Sequence, residues 1–119
     1  MINTEISVVI ELSNYPISPD QIDVTEDFLG VFGRCASETA AVYIIRLCQK
    51  NKGWQPFTLG DLKRIKMDRT DKLLVPTGVW CLVQGEFIVH KKRRYYLTEE
   101  FIQRCYNNFP VNSQLTLEL

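Results

Sequence analysis

The chain has 119 residues, of which 45% are hydrophobic and 24% are charged, so it can bury a core as one domain and is not globally disordered. Its formal net charge is zero, but the charge is unevenly distributed. Residues 1–33 contain six acidic and no basic side chains, whereas residues 34–104 contain all fourteen basic and seven acidic ones, a net charge of +7. Local charge is therefore more informative here than the total.

Membrane insertion and secretion are not indicated by the sequence. No apolar run approaches the roughly 18 residues that a membrane-spanning helix needs. The longest apolar stretch near the start, residues 6–12, is too short and lacks the preceding basic segment of a signal peptide. We therefore expect a cytoplasmic protein without a membrane partner.

The residues that usually carry metal or catalytic chemistry are sparse. The four cysteines form no C-x-x-C pair, and His90 is the single histidine. Each cysteine falls in or beside an apolar pattern, which predicts buried, reduced thiols and no metal or other cofactor. No nucleophile–base constellation, acid pair or phosphate-cradling glycine loop is present, so we expect that the protein is not an enzyme.

The first predicted elements are a strand and a short helix. Apolar and polar residues alternate over residues 6–12, which is typical of a half-buried strand. Prolines and turn-forming residues follow, and a helix is expected to open at Thr25, with its length limited by Gly30 and Gly33.

The clearest helix signal begins at Ser37, a suitable N-cap that is followed by Glu38 near the positive end of the helix dipole. Gly53 is the predicted C-cap. The inner face is predicted to consist of Ala41, Ile44, Ile45 and Cys48.

A second helix is predicted after a short extended piece at residues 54–57. Thr58 is its expected cap, with Asp61 three positions later as the reciprocal partner. Its outward face is predicted to carry Lys63, Arg64 and Lys66.

A turn is predicted over residues 68–71, followed by a short third helix from about Val75 to Gly85. Pro76 fits the first turn of this helix, because a proline in a helix interior costs about 3 kcal/mol. The apolar residues that are expected to be buried here are Val79, Trp80, Leu82 and Val83.

Two strand-like segments, residues 86–90 and 95–97, bracket four consecutive basic residues, 91–94. The apolar cross-strand pairs align if His90 faces Tyr95, which predicts an antiparallel hairpin in that register. No Gly, Asn or Asp is available for a two-residue primed turn, so a four-residue loop around a type I turn is predicted.

The last predicted elements are a helix and a strand. Thr98 is the expected cap of a helix that ends near Asn108, and residues 114–119 alternate as a strand does. The predicted common core consists of Ile44, Ile45, Leu62, Trp80, Val83, Ile88, Leu97 and Phe101.

Residues 79–101, VWCLVQGEFIVHKKRRYYLTEEF, resemble the part of bacterial winged helix-turn-helix proteins in which the third helix ends in glycine, a hairpin wing follows, and "LT" with acidic residues starts the next helix. With the order of the other elements, the resemblance covers roughly residues 37–108. It implies an α+β fold, with a winged-helix-like three-helix core and a β-hairpin wing, to which the terminal strands are added. We expect one domain with an acidic extension at residues 1–34, the core at residues 35–108 and a tail at residues 109–119.

Proteins of this superfamily commonly bind duplex DNA, with the third helix in the major groove and the wing on the backbone. The resemblance implies contacts from the wing and from the segment at residues 68–80. We add the basic face of the second helix as a candidate, for which the alternative is the solvated side of an amphipathic helix. The candidate residues are Lys63, Arg64, Lys66, Arg69, Thr70, Lys72, Thr77, Lys91, Lys92, Arg93 and Arg94. Asp68 and Asp71 oppose phosphates, and no Arg or Asn suited to base reading follows Val75, so backbone binding is favoured over sequence readout.

Two functions therefore stay open. The first is a small DNA-binding regulator or mobile-element protein that uses the basic wing. The second is a winged-helix module that binds a protein partner through its acidic N-terminal segment and does not bind DNA. Neither terminal strand can stand alone, so residues 6–12 are expected to pair with residues 114–119, within one chain or across a homodimer.

Overall fold

The computed structural model of the protein describes residues 15–24 and 30–111. Over these residues the fold is α+β, with four α-helices and one antiparallel hairpin. In chain order the elements are α1 (Cys35–Lys50), α2 (Leu59–Lys63), α3 (Arg69–Gln84), β1 (Ile88–Lys91), β2 (Arg94–Leu97) and α4 (Glu99–Asn108). The strands predicted at residues 6–12 and 114–119, and the helix predicted to open at Thr25, fall outside the described residues. No α-helix in the described part is long and apolar enough to cross a membrane.

Helix α1 begins three residues earlier than a Ser37 N-cap predicts. Ser37 lies buried inside the helix, and the N-cap is Arg34, whose side chain makes no capping hydrogen bond. The preceding chain is held instead by the carboxylate of Glu38, whose Oε2 accepts the Phe32 N–H, while Gly33 adopts a positive φ of 83°. The predicted Ser37 cap is therefore wrong, because the turn into α1 is closed by a carboxylate from inside the helix.

The end of α1 also differs by one residue from its prediction. Lys52, with φ of 62°, occupies the left-handed position that was expected at Gly53. The Lys52 N–H donates to the Gln49 carbonyl at 3.2 Å, and the Gly53 N–H donates to the Cys48 carbonyl at 3.0 Å. These two bonds form a Schellman motif that satisfies the last carbonyl groups of the helix.

Helix α2 has the predicted start but is shorter than predicted, since it ends at Lys63, with Arg64 as its C-cap and Lys66 beyond it. Thr58 caps the helix, and the two reciprocal hydrogen bonds with Asp61 both measure 3.0 Å. Before the cap, Phe57 forms an isolated antiparallel bridge with Tyr95 of β2. The Phe57 N–H donates to the Tyr95 carbonyl at 3.0 Å, and the Tyr95 N–H donates to the Phe57 carbonyl at 2.8 Å. The extended piece therefore attaches α2 to the hairpin.

Helix α3 is much longer than predicted. It starts at Arg69, six residues before the expected start, and contains Pro76 in its interior. Asp68 caps it by accepting the Asp71 N–H at 2.8 Å, and the Asp71 carboxylate accepts the Tyr43 hydroxyl of α1 at 2.6 Å. These bonds hold the first turns in place and offset the proline. The carbonyl that Pro76 leaves without an intrahelical donor belongs to Lys72, an exposed residue.

The packing of α3 against α1 is closest at Gly78. A Cβ atom built on Gly78 would lie 2.0 Å from the carbonyl oxygen of Ala36 and 2.7 Å from the Cβ of Ala40. Only a residue without a side chain fits there. The contact places the face of α3 that includes Val75, Val79 and Leu82 in the core, so that these side chains are buried.

The same orientation overturns part of the predicted core. Trp80 is 62% exposed, because neighbouring residues of a helix point about 100° apart and Val79 takes the inward position. Val83 is half-buried against the core. The other predicted core residues are buried, namely Ile44, Ile45, Leu62, Ile88, Leu97 and Phe101.

The hairpin has the predicted register but a different turn. His90 pairs with Tyr95, and Lys91 pairs with Arg94, so only Lys92 and Arg93 form the loop. Their φ angles are 51° and 71°, which is the pattern of a two-residue type I′ turn. The predicted four-residue loop is therefore wrong. The twist of the strands selects the primed turn although neither residue favours it.

Helix α4 and the N-terminal residues complete the core. Thr98 Oγ1 accepts the Phe101 N–H at 3.1 Å and donates to the Phe87 carbonyl at 2.7 Å, so the predicted cap also anchors the base of the hairpin. In the first described segment, residues 15–24, the Ile17 carbonyl accepts the indole N–H of Trp54 at 2.6 Å, and Ile22 bridges Val111. This segment thus packs on the domain.

Replacing Gly78 with Ala is expected to lower the free energy of unfolding by about 3 kcal/mol or more, because the added methyl group meets a backbone carbonyl that cannot move independently. Denaturant unfolding followed by circular dichroism measures the change. Gly60→Ala in α2 is the control, since its Cβ would have only an ordinary 3.5 Å contact. The control should be neutral or stabilising. An unaffected Gly78→Ala protein would contradict the close helix contact.

Replacing Lys92 with Asn and Arg93 with Gly is expected to raise the free energy of unfolding by about 1 kcal/mol, because these residues adopt the left-handed region at less cost. Lys92→Ala with Arg93→Ala removes the same charge but keeps the backbone strain, and should change stability by less than about 0.5 kcal/mol. Equal effects of the two pairs would show that charge repulsion, and not backbone conformation, limits the stability of the turn.

Candidate nucleic-acid interface

All eleven residues that the sequence singles out for nucleic-acid contact are exposed. They lie in three groups: the edge of α2, the outer side of α3, and the hairpin tip, residues 91–94. The α2 group is Lys63, Arg64 and Lys66; the α3 group is Arg69, Thr70, Lys72 and Thr77; the tip is Lys91, Lys92, Arg93 and Arg94. Exposure leaves each of these side chains accessible to a ligand in solution.

The hairpin tip concentrates the most charge in the smallest space. Lys91 and Arg94 are the last paired residues of the two strands, and Lys92 and Arg93 form the turn between them. The four cations are therefore consecutive and lie at one end of the hairpin. No carboxylate lies in this stretch, and none of the four makes an ion pair with any described residue. The tip is therefore a compact +4 charge without internal neutralisation.

A column of aromatic rings supports the strand pair next to the tip. The His90 and Tyr95 rings stack with centroids 4.3 Å apart and planes within 11°, and Tyr95 in turn stacks on buried Phe57 at 5.3 Å. Aromatic cross-strand pairs stabilise hairpins. The exposed His90 thus has a supporting role, and the tip projects from a stem that is anchored in the core.

The basic groups of α2 and α3 are partly neutralised. Arg64 forms an ion pair with Asp61 at 3.4 Å, and residues 61–72 hold five cations and three carboxylates, a net charge of +2. An exposed pair of this kind contributes little to stability. This region is less favourable for phosphates than the tip is.

The two aspartates that were expected to oppose phosphates both have structural partners. Asp68 caps α3, and Asp71 accepts the hydroxyl hydrogen bond of Tyr43. Burial, followed by the bond to Asp71, raises the pKa of Tyr43 to about 12, so the phenol stays a donor at neutral pH. Both carboxylates still add negative charge beside Arg69 and Lys72.

The middle of the outer side of α3 is apolar, a feature that the sequence prediction missed. Leu73 is 73% exposed and Trp80 is 62% exposed, and they are the large hydrophobic residues exposed within the described part of the chain. Side chains that read base edges, such as Arg or Asn, do not occupy these central positions. A prediction that Asp68 caps the helix would have revealed this apolar face, because a helix over residues 69–84 places residues 73 and 80 on the side opposite Val75 and Val79.

The cysteines give no reactive thiol in the core. Cys48 and Cys105 are buried, and burial raises the pKa of Cys48 to about 11 and that of Cys105 well above its ordinary value. Cys81 is half-buried and Cys35 is exposed, so the prediction of four buried thiols is wrong for Cys35, which lies at the exposed start of α1. All four are free.

No protein-family model matches the chain, and no curated protein or solved structure shows significant similarity to it.

Proposed function

We propose that the chain is a winged-helix-like protein that binds duplex DNA, with the hairpin as its wing and the phosphate backbone as its ligand. It would act as a small regulator or mobile-element protein.

The order and packing of the elements support this fold. Helices α1, α2 and α3 precede the hairpin, and α3 lies across α1 at Gly78. Phe57 adds a bridge to β2, which gives the hairpin a short third partner as in a small winged-helix sheet. The hairpin is anchored at its base by Thr98 and lies between α3 and α4 in sequence. This is the arrangement that the resemblance to the superfamily implies.

The unneutralised charge of the hairpin tip is the observation that carries the proposal. Duplex DNA presents one phosphate charge for about every 1.7 Å of its axis, so a compact cationic turn can release condensed counterions when it binds. Lys92 and Arg93 also occupy positive-φ positions that Asn and Gly adopt more easily. The chain thus places two cations in this turn at a cost in backbone strain.

Backbone contact, and not base reading, is the binding mode that these residues favour. The cations at the edge of α2 and the start of α3 can extend the contact along a phosphate strand. The central outer residues of α3, Leu73 and Trp80, offer no hydrogen-bond pattern that distinguishes base pairs in the major groove. Affinity is expected to depend strongly on salt and weakly on sequence.

Fluorescence anisotropy with a labelled duplex, over salt concentrations of about 50 to 300 mM, tests the proposal. The logarithm of the affinity should fall linearly with the logarithm of salt concentration. Replacing residues 91–94 with alanine should weaken binding at low salt by about tenfold or more and flatten the slope, because each lost phosphate contact removes about 0.9 from it.

A matched pair of double variants controls for net charge. Lys92→Ala with Arg93→Ala should weaken binding, whereas Lys50→Ala with Lys52→Ala, which removes the same charge from the end of α1, should not. Lys52 also has a positive φ, so one member of the control pair matches the turn residues in backbone conformation. Equal losses, or a wild type without affinity at low salt, would contradict the proposal.

A protein-interaction module is the second candidate, and the exposure of Leu73 and Trp80 favours it. Large exposed apolar side chains on one helix face commonly mark contacts between proteins. If the wild type fails to bind DNA at low salt, this function takes precedence.

A further inference from the structure

The outer side of α3 carries a line of exposed residues at helical spacing. They are Arg69, Leu73, Thr77, Trp80 and Gln84, which we name the α3 seam. Spacings of four, four, three and four residues keep them on one side of the helix, as at the contact line of paired helices. Within the described residues nothing covers the seam, since its members are all exposed. Its two large apolar side chains would lose contact with water if a partner helix packed there.

The seam is symmetric about the point between Pro76 and Thr77. Leu73 precedes this point by the same number of residues by which Trp80 follows it, and Arg69 and Gln84 are related in the same way. An antiparallel copy of the same helix would therefore set Leu73 against Trp80 twice. A surface that matches itself under a two-fold rotation is the requirement for an isologous dimer.

We propose that a second copy of this chain binds at the α3 seam, so that two α3 helices pack antiparallel about a two-fold axis near Thr77. The proposal does not rest on DNA binding by the hairpin tip, although Arg69 and Thr77 belong both to the seam and to the candidate DNA contacts. It also differs from the pairing of the terminal strands, which lie outside the described residues.

Charge at the two ends of α3 supports a second copy as the occupant. Arg69 and Lys72 lie in the first turns, at the positive end of their own helix dipole, where cations are unfavourable. The other end of α3 carries the negative end of the dipole, and exposed Glu86 follows the C-cap. In an antiparallel pair, Arg69 of one copy lies beside Gln84 and Glu86 of the other, so each unfavourable end gains an opposite charge.

The shape of the seam allows the helices to approach closely at its centre. Pro76 and Thr77 are small compared with Leu73 and Trp80, so the axes can come within about 8–10 Å while the large side chains pack on either side. Each tryptophan can bury about 150–250 Å². A standard interface buries roughly 800 Å² per partner, which is more than the apolar side chains of one seam provide. The two seams would therefore form only the centre of the interface, and we expect a weak dimer whose population depends on protein concentration.

Sedimentation equilibrium from about 1 µM to 1 mM wild-type protein measures the association. Trp80→Ala and Leu73→Ala should each weaken dimerisation by about tenfold or more, because they remove the apolar centre. Both residues are exposed, so the variants should fold, as circular dichroism would verify. Lys50→Ala, at an exposed position in α1 and outside the seam, is the control and should leave association unchanged.

A charge reversal identifies the antiparallel geometry. Arg69→Glu should weaken the dimer by about tenfold, because it places two carboxylates together, and adding Glu86→Lys should restore the wild-type association. Lysine suits position 86, since Lys52 adopts the equivalent positive-φ position at the end of α1. If the seam bound a different protein or DNA instead, adding Glu86→Lys would not restore that binding.

Three results would overturn the proposal: a wild type that is monomeric at the highest concentration, a dimer that survives Trp80→Ala and Leu73→Ala, or a double charge variant that associates as weakly as Arg69→Glu alone. DNA binding through the hairpin tip is measured separately with the variants at residues 91–94, so failure of one proposal does not imply failure of the other.

Discussion

The contact between Gly78 of α3 and the backbone of Ala36 in α1 is the constraint on which the rest of the fold depends. Because no side chain fits between the helices at this point, the face of α3 that contains Gly78 lies against α1. That orientation buries Val75, Val79 and Leu82 and turns Leu73 and Trp80 towards solvent. A glycine in a helix interior costs about 1 kcal/mol relative to alanine, and here the burial of both helix faces offsets that cost.

The end of α3 determines where the hairpin starts. The Phe87 N–H donates to the Leu82 carbonyl at 2.9 Å, and Glu86 takes a positive φ of 66°, which reverses the chain into β1. The Phe87 carbonyl then accepts the Thr98 hydroxyl, so the same short segment joins α3, the hairpin and α4. With its base held in this way and its stem supported by stacked rings, the hairpin presents its four cations at a defined place.

The sequence predicted those elements whose signals are local and agree with the tertiary structure. The Thr58 and Thr98 caps and the pairing of His90 with Tyr95 follow from side-chain chemistry within a few residues. The start of α3 was missed because Pro76 is a strong local signal, whereas the Tyr43–Asp71 bond that outweighs it joins residues far apart in the chain. The exposure of Trp80 was missed because the contact of Gly78 with Ala36, which also joins residues far apart in the chain, sets the side of α3 that faces the core.

The turn type was likewise decided by tertiary context. The twist of the strands forces Lys92 and Arg93 into a turn that their own backbone preferences disfavour. The sequence therefore predicted the position of the candidate site but not its backbone conformation. The central claim is that this tip contacts phosphate. Backbone amide shifts of the 15N-labelled protein, titrated with duplex DNA at low salt, test it most directly. The account predicts that the largest shifts occur at residues 91–94, and shifts confined to α1, or none at all, would contradict it.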